Sequence, residues 1–158
     1  DALAIALLEA RGFSIDDFAM SHPGGALGRR LLLRVCDIMV TGPAIPLVTP
    51  DTPLRDALVS MTESGFGMTI VADDRLSVLG VFTDGDLRRA IDRNIDLLGT
   101  PVSKVMSRGA KTVSENTLAV DALDLMEKHR ITALPVLNED GLICGALKMH
   151  DLLQSGVV

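Results

Sequence analysis

The chain has no tryptophan, no tyrosine and only four phenylalanines in 158 residues. A nucleic-acid surface wants stacking rings set in a basic stripe. Neither is available, because the net charge is −6. That balance excludes nucleic acid as a partner but not a local pocket for a small anion. Cysteine is scarce too. Cys36 and Cys144 lie far apart with no CxxC spacing, so the sequence offers no metal motif and reads as two free, buried thiols in a reducing cytoplasm. No apolar run approaches the roughly 18 residues that cross a bilayer. The apolar stretch at residues 1–8 lacks the basic region and cleavage site of a signal peptide.

What is present is a globular composition, 47% hydrophobic and 23% charged. The chain is organised around Gly80-Val81-Phe82-Thr83-Asp84-Gly85-Asp86-Leu87, a buried strand that turns directly into a helix. Such a turn is an anion site by construction, because a helix N-terminus presents free N–H groups and partial positive charge. Gly145-Ala146-Leu147-Lys148-Met149-His150-Asp151-Leu152 repeats the pattern 65 residues later. The same 65-residue offset joins Thr52 to Thr117, Asp56-Ala57-Leu58 to Asp121-Ala122-Leu123, Met61 to Met126 and Val71 to Val136. The lead-ins Val35-Cys36-Asp37-Ile38-Met39 and Val102-Ser103-Lys104-Val105-Met106 stand 67 apart. A register held without a gap through helix, strand, strand and helix signals a duplication.

Each repeat reads as β-α-β-β-α. In the first, a strand is expected over residues 45–49. Thr52 is expected to cap a helix with Pro53 at its first position. Leu54, Ala57, Leu58 and Met61 keep helical spacing, Gly65 and Gly67 stop the helix, and strands follow at 68–72 and 78–83. Neither repeat buries its own sheet well, so the two are expected to pack as one module.

The first 34 residues read differently. The segment from Ala2 to Leu8 is apolar on nearly every side, as in a helix buried inside a larger protein, and is expected to be the end of an upstream domain. Ser21-His22-Pro23-Gly24-Gly25 forces an irregular corner at His22. By spacing alone His22 is either a turn residue bonded to backbone or a general acid/base. Arg29, Arg30 and Arg34 read as a solvated helix face.

The Asp-Ile-Met lead-in, the Leu134-Pro135-Val136 strand, the Gly-Val-Phe-Thr-Asp-x-Asp-Leu ending and the repeat itself give residues 35–158 a resemblance to a tandem pair of cystathionine-β-synthase (CBS) domains. The resemblance implies an α/β (α+β) fold of two repeats, 35–95 and 96–158, related by a pseudo-two-fold axis. It also implies clefts for adenine or cytidine nucleotides and self-association through helices. The family's ligand pattern is a Gly, a Pro in the next strand, and Ser/Thr-x-x-Asp at the last turn. Repeat one has Gly65, Ile70, Thr83 and Asp86; repeat two has Arg130, Pro135, Lys148 and Asp151. The resemblance therefore puts Thr83, Asp86, Asp84, Arg88, Lys148 and Asp151 in the ligand set. Their alternatives stay open: Asp86 and Asp151 also suit the first turn of a helix as acids complementing its dipole, Arg88 a solvated face, and Lys148 either a phosphate contact or a surface lysine.

Residues 1–34, with Leu8-Glu9-Ala10-Arg11-Gly12-Phe13 and Ser21-His22-Pro23-Gly24-Gly25-Ala26-Leu27-Gly28-Arg29, resemble the tail of a sugar isomerase (SIS) domain. The whole chain is similar to the C-terminal half of the D-arabinose 5-phosphate isomerases, which interconvert D-ribulose 5-phosphate and D-arabinose 5-phosphate on the route to 3-deoxy-D-manno-octulosonate of lipopolysaccharide. That resemblance implies an active-site role for His22, as a catalytic candidate. The remaining acid, base and phosphate groups would be supplied from outside this sequence, so the chain alone is expected to be inactive. No metal or other cofactor is required. The expected regulatory ligand is CMP-linked 3-deoxy-octulosonate, CMP or an adenine nucleotide; the alternative is a bracing module that binds nothing.

Overall fold

A computed structural model describes residues 32–157. His22, Arg29 and Arg30 lie outside the described residues. In the first repeat β1 (Leu47–Val48), α1 (Leu54–Ser64), β2 (Met68–Ala72), β3 (Val78–Thr83) and α2 (Asp84–Asp92) follow in order. The second repeat supplies β4 (Val113–Ser114), α3 (Ala119–His129), β5 (Ala133–Leu137), β6 (Ile143–Lys148) and α4 (Met149–Gln154). Each makes a three-stranded sheet, β1-β2-β3 and β4-β5-β6, with the first pair parallel and the second antiparallel. The 65-residue offset is kept in the hydrogen-bond register. Met68 pairs with Thr83 and Ala133 with Lys148, and the irregularity between Val71 and Ala72 recurs between Val136 and Leu137. These are two copies of one α/β unit, as the repeat implies.

Period-two patterning decides where each strand faces. In β2, Met68, Ile70 and Ala72 point into a layer that also holds Ile143 and Ala146 of the other sheet. Val71 points the other way, against Leu54, Ala57 and Met61 of α1 and Ala90 of α2. A strand packed on both faces must be apolar throughout, and β2 is buried along its whole length. Its one polar side chain, Thr69, is matched to Ser60 of α1 across 2.9 Å.

Two local expectations need correcting. The first strand is shorter than residues 45–49, because Gly42–Ala44 forms a 3-10 turn and only Leu47–Val48 pairs with β2. Thr52 does not cap α1 either. Pro53 holds that position without a side-chain cap, and the Thr52 hydroxyl accepts from the Thr49 N–H at 3.2 Å.

The lead-ins cross over. Val35 lies in the core of the second repeat with Ala119, Leu134 and Leu147, and Val102 lies in the core of the first with Leu54 and Phe82. Backbone bridges repeat the exchange: Val40 pairs with Ala146, and Ser107 with Val81. The crossings need glycine. A Cβ on Gly80 would stand 2.6 Å from the Ser107 carbonyl oxygen and 2.9 Å from the Met106 sulfur; on Gly145 it would stand 2.5 Å from the Met39 sulfur and 2.9 Å from the Val40 carbonyl oxygen. The two glycines of the repeated motif thus serve the passage of a neighbouring backbone.

Candidate functional site

Thr83 ends β3 in extended backbone and becomes the N-cap of α2. Three residues on, Asp86 closes a capping box with it. The Thr83 N–H donates to Asp86 Oδ2 at 3.0 Å and the Thr83 hydroxyl donates to the same oxygen at 3.2 Å. Asp86 Oδ1 accepts from the Ser107 hydroxyl at 2.6 Å and from Arg89. The carboxylate is only 3% exposed. All of its partners are internal, so Asp86 sits behind the turn as its clamp and joins the lead-in of the second repeat to the last turn of the first.

In front of that turn is a cavity of about 430 Å³, inside the size range of small-molecule sites. Its walls come from both repeats. One side is Thr83, Asp84 and Gly85 with Phe66, Gly67 and Met68; the other is Arg130, Ile131, Thr132, Ala133 and Pro135. Ser107, Ala110 and Lys111 of the crossing lead-in close it between them. Phe66, Met68, Val81, Ile131 and Pro135 are its apolar lining. Thr83, Asp84, Ser107, Lys111 and Arg130 are its polar lining, and Thr83 is the N-cap of the nine-residue helix α2. That polar lining suits an anion, since Lys111 and Arg130 bring charge and α2 brings N–H groups. The Thr83 hydroxyl proton is engaged with Asp86, so the two cations carry more of an anion's recognition than the hydroxyl does.

Of the residues expected in the ligand set, Thr83 and Asp84 line this cavity and Asp86 stands behind it. Arg88 is exposed on α2 and is not among the lining residues, nor is Asp151. Lys148 lies elsewhere. By the 65-residue offset it corresponds to Thr83, Gly65 to Arg130 and Phe66 to Ile131. The same three positions come together at the pseudo-equivalent place: the Lys148 ammonium lies 5.3 Å from the Phe66 ring centroid and 4.0 Å from where a Gly65 Cβ would be.

Sequence reasoning missed Lys111 and Ser107 as wall residues and took Arg130 only as a departure from Gly. Arg130 carried a signal. It holds a left-handed backbone (φ 55°) at the helix C-cap where Gly65 (φ 71°) stands in the first repeat. A non-glycine residue pays for that conformation with strain, and such strain often marks a ligand wall.

The two thiols are not alike. Cys36 is exposed, while Cys144 is half-buried and donates to Glu115 Oε2 at 3.1 Å. Burial, then the Glu115 carboxylate, push the Cys144 thiol up from 9.0 to about 11. The described residues hold no cluster of histidine, cysteine or carboxylate fit for a metal. No helix among them is long and apolar enough to cross a membrane.

The CBS domain family matches residues 35–93 and 102–157. Over all 158 residues the chain is 57% identical to arabinose 5-phosphate isomerase KdsD of Yersinia pestis and 53% to that of Escherichia coli K12, covering 48% of each. It thus spans about half the length of these curated relatives. Among solved structures, CBSX2 in complex with AMP superposes with a TM-score of 0.66 at 26% identity, over 79% of this chain and 96% of that one. An uncharacterized conserved protein of Pyrococcus horikoshii superposes with a TM-score of 0.67 at 30% identity, over 78% and 91%.

Proposed function

Because the chain belongs to the CBS domain family, we propose that it is the nucleotide-sensing part of a cytoplasmic arabinose 5-phosphate isomerase. In this reading it binds a nucleotide or nucleotide-sugar at the Thr83 cavity and adjusts an isomerase domain that precedes it. The observation that carries the reading is the composite cavity, whose lining joins apolar side chains to Thr83, Lys111, Arg130 and the N-terminus of α2. A flat base and a phosphate have that same division of character. AMP bound to the related CBSX2 fold supports the class of ligand. Relatives named arabinose 5-phosphate isomerase support the parent activity.

The parent reaction moves a proton between adjacent carbons of a sugar phosphate through an enediol, which needs an acid–base pair and a grip on phosphate. His22 is our candidate for acid–base work there, in company with residues outside this chain; the 158-residue chain alone has no turnover. A committed biosynthetic step is best governed by its activated end product. We therefore favour CMP-linked 3-deoxy-octulosonate over CMP and over an adenine nucleotide. We also propose that the parent self-associates through its CBS pairs.

Calorimetry with CMP, its octulosonate conjugate and AMP tests the reading, with Arg130→Ala as the control that removes a cavity cation without touching the Asp86 clamp. Binding that Arg130→Ala weakens about tenfold or more is expected. No binding of any of the three refutes it. In that event a bracing module that binds nothing is the remaining reading, favoured by the internal commitment of Asp86.

A further inference from the structure

The two pseudo-equivalent places take their cations from different positions of the repeat. In the first, Arg130 at the end of α3 joins Lys111 in the cavity lining, and the strand end in the same lining is Thr83, a small hydroxyl. In the second, the residue at the end of α1 is Gly65 and the strand end is Lys148. Gly65 has no side chain to compete for space, and its left-handed φ of 71° keeps most substitutions out. The Lys148 ammonium stands beside Gly65 and against Phe66, at a distance typical of a cation over an aromatic face. The helix that follows Lys148 has six residues and no side-chain cap, so that end of the fold offers an anion far less than α2 does.

Phe66 is shared between the two places. It is 6% exposed, lies in the layer between the sheets, and forms part of the wall of the Thr83 cavity. Lys148 itself does not line that cavity.

We propose that Lys148 fills the place pseudo-equivalent to the Thr83 cavity and is a positioning residue for the Phe66 wall, so that the chain takes one nucleotide, at the Thr83 cavity, and none at its pseudo-equivalent. The stoichiometry rests on the nucleotide reading above; the placement of Lys148 does not. A side chain already seated in that place keeps a ligand out of it. The same contact fixes the ring that forms part of the wall of the Thr83 cavity.

Two measurements on the full chain decide this. Without any ligand, NMR reads the Lys148 ε-methylene protons, which a ring face shifts upfield. The shift is expected in the wild type and lost in Phe66→Leu. The Phe66 ring signals are expected to move in Lys148→Met and to return in Lys148→Arg. Unshifted ε protons, or Phe66 signals indifferent to Lys148→Met, overturn the proposal whatever binds. Calorimetric titration with CMP and with AMP is expected to give one equivalent, weakened about three- to tenfold in Lys148→Met and restored in Lys148→Arg. Two equivalents in the wild type overturn the proposal. No binding of either nucleotide refutes the nucleotide reading and leaves the NMR result to decide the seat of Lys148.

Discussion

Replacing Asp86 by alanine separates two jobs that a carboxylate at this turn can have. A ligand residue can be lost with little effect on the free chain. A clamp cannot. Asp86→Ala strips the acceptor from the Thr83 N–H and hydroxyl and from the Ser107 hydroxyl. Losing a helix cap costs about 1 kcal/mol, and a hydrogen bond to a buried charge about 1.5–3 kcal/mol. Arg89 adds little, because its side chain is 59% exposed and such pairs contribute about 0.5 kcal/mol. The terms overlap, so we expect a loss of about 3 kcal/mol. At about 3 °C per kcal/mol for a chain of this size, the midpoint falls by about 10 °C. Asp86→Asn should cost about 1 kcal/mol, since its amide oxygen keeps Thr83 while the Ser107 hydroxyl turns to accept from the NH2. Urea and thermal unfolding followed by far-UV circular dichroism are the assays, because the chain has no tryptophan or tyrosine to report by fluorescence. An Asp86→Ala variant within about 0.5 kcal/mol of the wild type refutes the clamp.

Gly80→Ala drives a methyl group into the Ser107 carbonyl oxygen, 2.6 Å away. It should cost about 3 kcal/mol in the same unfolding assay, and a further Met106→Ala should recover less than half, since the nearer obstacle is backbone. Leu76→Gly should stabilise by about 0.5 kcal/mol: Leu76 sits at φ 66° where the second repeat has Gly141, and its carbonyl still accepts the Ile143 N–H. A lower urea midpoint would contradict this. Cys144 makes the fold alkali-sensitive. Its folded pKa of about 11 lies above the 9.0 of a free thiol, so its contribution is intact below pH 9 and is lost as pH climbs toward 11. Iodoacetamide mapping at pH 8 should label exposed Cys36 well before Cys144, with Glu115→Gln narrowing the gap; equal labelling of the two in the wild type would be decisive against it.

The repeat was legible because every element after the lead-in keeps one offset, and the structure keeps it down to paired residues such as Val71 with Gly80 and Val136 with Gly145. The strand-to-helix turn was legible for the same reason. The role of Asp86 was not. Thr-x-x-Asp is both a phosphate-turn pattern and a capping box, and the structure shows the capping box with Ser107 as a further partner from the other lead-in. The cavity wall was also hidden. Reading each repeat as its own site pairs Thr83 with Gly65, whereas the fold pairs Thr83 with Arg130 from the other copy. The clue lay in Gly80 and Gly145. Glycine inside a strand marks the close passage of another backbone, and a passing backbone must come from somewhere else in the chain.

That crossing decides what a ligand in the cavity would hold together. Thr83 belongs to the first repeat, Arg130 to the second, and Lys111 to the lead-in threaded across the first. A ligand touching all three binds only the arrangement in which the repeats stand as they do here, and it biases the chain by its differential affinity for that arrangement. The lead-in at residues 33–40 is seated on the second repeat: the Leu33 carbonyl accepts the Ala119 N–H, Val35 is in the core and Val40 pairs with Ala146. Any displacement of the second repeat relative to the first would carry residues 33–40 with it, through a buried valine and paired backbone. Arg130 and Val35 belong to the same half of the fold. A ligand that fixes Arg130 against Thr83 fixes, by the same contact, the seat from which the preceding chain departs.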